Sequence, residues 1–154
     1  MTAQQEAGRP TGGKTMSIVL GYDESPGARS ALELAIDLAA RLGEPLVLVF
    51  GAAPPGSVGE EAGEHYQAIA EMGRTATAHA VQAARAAGVA TVVEVLPDKP
   101  VDALLDAAER HDARVVVVGT YGETPLRGAI LGSVPHKLLH LSRRPVLCVP
   151  AVEG

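Results

Sequence analysis

Two hydrophobic rhythms alternate along this chain. Ile18-Val19-Leu20, Leu46 to Phe50 and Val115 to Val118 are short runs without a polar residue, the pattern of strands buried on both faces. Between the first two runs, Ala28, Ala31, Leu32, Ala35, Ile36, Leu38 and Ala39 recur at helical spacing and mark one apolar helix face. The pattern predicts strands at Ser17 to Asp23, Leu46 to Ala52, Thr91 to Leu96, Val115 to Thr120 and Pro145 to Val149. It predicts helices from Ser25-Pro26 to Gly43, from about His65 to Ala87, from Pro100 through Arg110, and from Ser133 to Leu141. Ser25 is a good N-cap, Pro26 suits a first helical turn, and Gly43 and Gly88 are stop signals. Pro54 to Glu64 reads as loop. Residues 1–15 show no periodicity and read as a disordered tail, leaving 16–154 as a single domain.

Strands alternating with helices in this way specify an α/β fold, a Rossmann-like parallel sheet with helices on both faces, because right-handed crossovers put successive helices there. Ligands of such sheets bind beyond the carboxyl ends of the strands, where the strand order reverses. Asp23 and Gly119 both close a predicted strand.

Composition narrows the function. With 154 residues, 47% hydrophobic and 20% charged, the chain is long enough for one substantial core. Aromatics are 3%, so that core is aliphatic and rich in alanine. A net charge of −5 argues against nucleic acid or an anionic membrane as partner, since both need a concentrated basic face. No apolar run reaches the roughly 18 residues of a membrane span, and residues 1–15 lack a signal-peptide core. The single cysteine, Cys148, forms no bridge within the chain, which fits a cytoplasmic, reducing compartment.

Two glycine motifs compete as phosphate sites. Gly8-Arg-Pro-Thr-Gly-Gly13-Lys14-Thr15 fits the P-loop pattern letter for letter, but a working P-loop follows a buried strand and opens a helix. Polar residues precede this one and a strand follows it, so the context is reversed. The second motif, Gly119-x2-Gly122-x9-Gly132-Ser133, runs from a strand end through a loop to a helix start. Glycines let backbone approach a phosphate, and free N–H groups at a helix N-terminus face negative charge. Arg127 lies inside that loop as a candidate phosphate neighbour.

With this motif, Val134 after it, Asp23 closing the first strand and Pro145-Val-Leu-Cys-Val149 at the end, the chain resembles the ATP-binding universal stress proteins over about residues 16–150. The resemblance implies a five-stranded sheet in the order 3-2-1-4-5 and ATP, with Mg2+, in a cleft between strands one and four. It implies Asp23 near ribose and the adenine edge, and the Gly51 backbone against adenine. Gly119 and Thr120 would contact ribose or phosphate, Gly122 would keep the loop clear, and Gly132, Ser133 and Val134 would meet the phosphates. It also implies a homodimer paired through strand 146–149 and a regulatory protein partner. Two departures stand out: Pro135 where many members have Thr or Ser, and Gly51 where many have Val.

His136 and His140, spaced i, i+4, could chelate a metal, but the sequence offers no third ligand beside them. Tyr22 and Tyr121 read as core or surface residues as readily as base-stacking ones. No Ser–His–Asp or Cys–His arrangement is evident, and Asp23-Glu-Ser-Pro-Gly27 lacks the H-x-G-H signature of adenylyl-transfer enzymes of this superfamily. Three readings remain: a nucleotide-dependent stress-response regulator, a nucleotide-independent dimeric interaction module, and a slow ATPase or self-phosphorylating protein with Ser133 as the nearby hydroxyl.

Overall fold

The computed structural model describes residues 15–52, 60–120 and 131–152. Nine elements follow one another: β1 (Ser17–Gly21), α1 (Pro26–Leu42), β2 (Leu46–Gly51), α2 (Glu60–Ala86), β3 (Thr91–Leu96), α3 (Pro100–Arg110), β4 (Ala113–Gly119), α4 (Ser133–Leu141) and β5 (Val146–Val149). The strands form one sheet in the order β3-β2-β1-β4-β5, every neighbouring pair parallel. From β1 the chain crosses outward through α1 to β2 and then β3. It returns through α3 to β4 on the other side of β1. The strand order therefore reverses between β1 and β4, and the crevice opens above their carboxyl ends.

Alternation along each strand divides the core into two layers. Ile18, Leu20, Leu46, Leu48 and Val117 face Ala28, Ala31, Ala35 and Ala39 of α1 together with Ala80 and Ala84 of α2. Val19, Val47, Val49, Val116 and Val118 face Val101, Leu104 and Ala107 of α3 and Leu138 of α4. Alanines on the buried helix faces bring those helices close to the sheet, and β-branched residues suit strands covered on both sides.

Local signals set the boundaries. Ser25 caps α1, its hydroxyl accepting from the Ala28 N–H at 3.2 Å, and Gly43 ends that helix at φ 65°. The helix α2 begins at Glu60, so part of the segment read as loop is helical. Gly63 does not stop it, because the roughly 1 kcal/mol it costs is spread over a 27-residue helix of good formers. β4 begins at Ala113, two residues ahead of the valine run, since Ala113 pairs with Ser17 of β1. Tyr22 and Asp23 lie beyond β1, although the Tyr22 N–H still donates to the Val49 carbonyl at 3.1 Å.

Charge gathers on α3 and at the amino ends of the strands. Arg110 reaches Glu94 of β3 through two bonds of 2.5 and 2.7 Å and Asp106 through a third of 2.7 Å. His111 lies 3.1 Å from the same Glu94 carboxylate. The Arg110 hydrogen bonds hold the Glu94 carboxyl below the usual carboxylate range, against the opposing effect of burial. A depressed folded-state pKa contributes stability that is complete above the unfolded value and is lost as pH falls through the folded one. Glu94→Gln is therefore expected to lower stability at neutral pH, with the gap to wild type closing below the usual carboxylate range. Urea unfolding from pH 7 to pH 3 checks this, and a gap independent of pH would contradict it.

Candidate functional site

The carboxyl ends of β1, β2 and β4 and the starts of three helices enclose a cleft of about 310 Å³. That is the small end of the range for small-molecule sites, about 300–1,000 Å³. Asp23, Gly51, Gly119, Gly132, Ser133 and Val134 all line it, so residues distant in sequence meet at the predicted switch point. Thr120 stands just off the wall. Gly122 and Arg127 lie outside the described residues.

The loop after β1 is built around Asp23 and Ser25. The Asp23 carboxylate accepts from the Ser25 N–H at 3.0 Å. Between them Glu24 adopts φ 63°, a left-handed conformation that is unfavourable for a residue with a side chain. This turn holds the exposed Asp23 at the cleft and starts α1 directly behind it.

Two glycines on the wall are required by packing. A Cβ at Gly119 would stand 2.7 Å from the Gly27 carbonyl carbon, so only a glycine lets α1 begin so close to the end of β4. A Cβ at Gly51 would stand 2.9 Å from the Ala103 Cβ and 3.1 Å from the Asp98 carbonyl oxygen. A side chain at position 51 is therefore directed against α3. The glycine there makes room for the Ala103 side chain and the Asp98 carbonyl.

The start of α4 forms the opposite wall. Gly132 is its N-cap with extended backbone, φ −68° and ψ 173°, which any residue adopts. The Gly132 N–H donates to the Thr120 carbonyl at 2.7 Å, while the Thr120 N–H donates to Val149 at 3.0 Å. Thr120 thus ties β5 to the start of α4, a structural duty that glycine spacing alone does not reveal. The His136 N–H makes the first helical bond, to the Gly132 carbonyl at 3.2 Å. Pro135, buried on the wall, has no N–H. Among the described residues, Ser133 and Val134 are left with unpartnered amides at a helix N-terminus, where the dipole favours an anion.

Sequence reasoning left Phe50, Pro100, Leu104 and Val118 out of the site; they supply its apolar wall. Their signal was position: each sits at or beside a strand's carboxyl end or a helix's first turns. Tyr22, 3% exposed, belongs both to the core and to the cleft wall, and its hydroxyl is buried without a partner among the described residues. Burial, and next the Glu24 carboxylate, raise its pKa above the usual phenol value. Asp23 supplies the only charge among the described lining residues. His136 and His140 are exposed with ring centroids 4.8 Å apart, edge to face. No group of three possible metal ligands occurs among the described residues.

The sequence profile of the universal stress protein family matches residues 14–150. The chain belongs to that family. It is similar to a universal stress protein of Mycolicibacterium smegmatis, 32% identical over 136 residues that cover 86% of this chain and 95% of that one. A universal stress protein of Mycobacterium tuberculosis is 31% identical over 132 residues, 84% of this chain; the chain spans 44% of that relative's length. Among solved structures, the universal stress protein of Archaeoglobus fulgidus in complex with dAMP is 25% identical with a TM-score of 0.64, the match covering 87% of this chain and 97% of that one. A universal stress protein in complex with cAMP is 26% identical with a TM-score of 0.63, over 91% and 100% of the two chains.

Because a methyl group at position 119 meets backbone, it cannot be relieved by a rotamer change. Gly119→Ala is expected to cost about 1–3 kcal/mol, the range for overpacking a close contact. The urea midpoint measures it, and an unchanged midpoint would show that α1 moves aside freely.

Proposed function

We propose that this universal stress protein binds an adenine nucleotide in the cleft and acts as a nucleotide-dependent regulator in a stress response. The observation that carries the reading is the pair of unpartnered amides, Ser133 and Val134, opening a helix onto an apolar cleft at the strand-order reversal. The dAMP and cAMP complexes of two relatives support the adenine class. ATP with Mg2+, which the resemblance implies, falls within it.

In this reading the base lies between the apolar side chains of Val49, Leu104 and Val118, near the Gly51 backbone. Asp23 accepts from the ribose hydroxyls, a task suited to an exposed carboxylate already oriented by the Ser25 amide. The phosphate sits at the Ser133 and Val134 amides, with the exposed Ser133 hydroxyl beside them. Gly119 and Thr120 shape the loop base; Gly122 and Arg127, outside the described residues, are proposed as ligand neighbours from the sequence alone. Binding is the activity assigned: no residue is given a catalytic role. A cytoplasmic location accompanies the reading, as does a regulatory protein partner that senses the bound state. Among the described residues no helix is long and apolar enough to cross a membrane.

A ligand at about 100 times its dissociation constant stabilises a fold by about 2.7 kcal/mol, roughly 5–10 °C in melting temperature for a domain of this size. AMP or ATP is expected to produce such a shift, and Gly132→Val to abolish it. Since Gly132 has extended backbone, the variant keeps its fold with a modest loss at the cap. No shift in wild type, or an equal shift in the variant, would sink the assignment.

The regulator is proposed to work as a homodimer paired through β5. That strand is a sheet edge bracketed by Pro145 and Pro150, and α4, which packs on it, leaves Leu139 and Leu141 51% and 59% exposed. Light scattering at micromolar concentration is expected to give the dimer mass, and Leu147→Lys the monomer mass. A wild-type monomer throughout would rule the pairing out.

A further inference from the structure

Away from the cleft, α4 carries two of the chain's five histidines. His136 and His140 stand four residues apart in this helix, a spacing that puts side chains one above the other on a single face. Both are exposed, and their rings meet edge to face with centroids 4.8 Å apart. Leu138, between them in sequence, is fully buried against the sheet and anchors the helix from its other side.

That ring separation is the one a chelate requires. An imidazole nitrogen binds a late first-row metal at about 2.0–2.1 Å, and the ring centre lies about 1.1 Å further on, so each centroid stands about 3.2 Å from the ion. Two such rings at about 90–110° around one ion have centroids about 4.5–5.2 Å apart. The observed 4.8 Å falls inside this range with the helix as it is. What remains is to turn each ring about its last side-chain bond, which is a soft torsion.

A closed structural zinc site takes four protein ligands, whereas two ligands leave the other positions to water. Imidazole suits Cu2+, Ni2+ and Zn2+, and among these Cu2+ binds a nitrogen site most tightly. It is a poor ligand for Mg2+ and Ca2+, which take oxygen. The exposed Lys137 beside the pair opposes a cation and lowers the affinity somewhat.

We propose that His136 and His140 form a two-point chelate for a divalent late transition-metal ion, with Cu2+ preferred. Neither histidine lines the cleft, so the site is independent of the nucleotide reading. An ion held there ties together one turn of a nine-residue helix whose first residues form the cleft wall.

Titration calorimetry on the full chain with Cu2+, Ni2+, Zn2+ and Mg2+, in the absence of nucleotide, tests this. One Cu2+ per chain is expected, held more tightly than Ni2+ or Zn2+, with no binding of Mg2+. Electron paramagnetic resonance of the Cu2+ complex is expected to show two nitrogen donors. The second imidazole closes the chelate at high effective concentration, so either His136→Ala or His140→Ala is expected to weaken Cu2+ by about tenfold or more. His79→Ala, which removes an exposed histidine of α2, is expected to leave the affinity unchanged. Both α4 positions are exposed, and melting temperatures without metal check that the variants are folded. Cu2+ affinity unaltered in either α4 variant, or lost equally in His79→Ala, would overturn the proposal.

Discussion

The closeness of α1 to the end of β4 is the constraint on which the cleft depends. Gly119 and Gly27 meet so tightly that a single methyl group at position 119 would lie 2.7 Å from backbone. That contact sets where α1 begins, and with it the Ser25 cap and the turn that orients Asp23. Thr120, the next residue, binds Val149 on one side and Gly132 on the other, so the same strand end also positions α4. Two adjacent residues, Gly119 by its close approach to Gly27 and Thr120 by its backbone hydrogen bonds, thus position the two walls of the cleft. The site is made by how near the elements come, and less by side chains reaching into it.

Charge is divided between the two ends of the sheet. Arg114 pairs with Glu44, and Arg144 with Glu109 and Asp112 at 3.2 and 2.6 Å, at the amino ends of the strands. Together with Arg110 they engage cations away from the cleft. Such exposed pairs each contribute little to stability, and none of these arginines lines the cleft.

The strand and helix rhythm was legible because both faces of the sheet are covered: unbroken runs such as Leu46 to Phe50 have no other use in a fold of this class. Thr91 to Leu96, Pro100 to Arg110 and Ser133 to Leu141 matched residue for residue. Ends were less legible where pairing rather than composition decides, as at Ala113, or where a glycine such as Gly63 is tolerated inside a long helix. The sheet order came from the family resemblance, since periodicity does not say which strands are neighbours. At the cleft, the motif showed which residues gather and concealed why. The family resemblance presents Gly51 and Gly119 as ligand contacts, whereas their close approaches to α3 and α1 are visible only in three dimensions. The loss of the Gly132 amide to Thr120 was equally hidden, because it depends on a contact across the loop.

The most direct test of a nucleotide seated between these walls is a backbone amide spectrum of the labelled protein titrated with AMP. The account predicts saturable shifts at Ser133, Val134, Asp23 and Gly119, with Glu94, Arg110 and Arg114 at the other end unmoved. Absence of any shift, or shifts centred away from the start of α4, would contradict it.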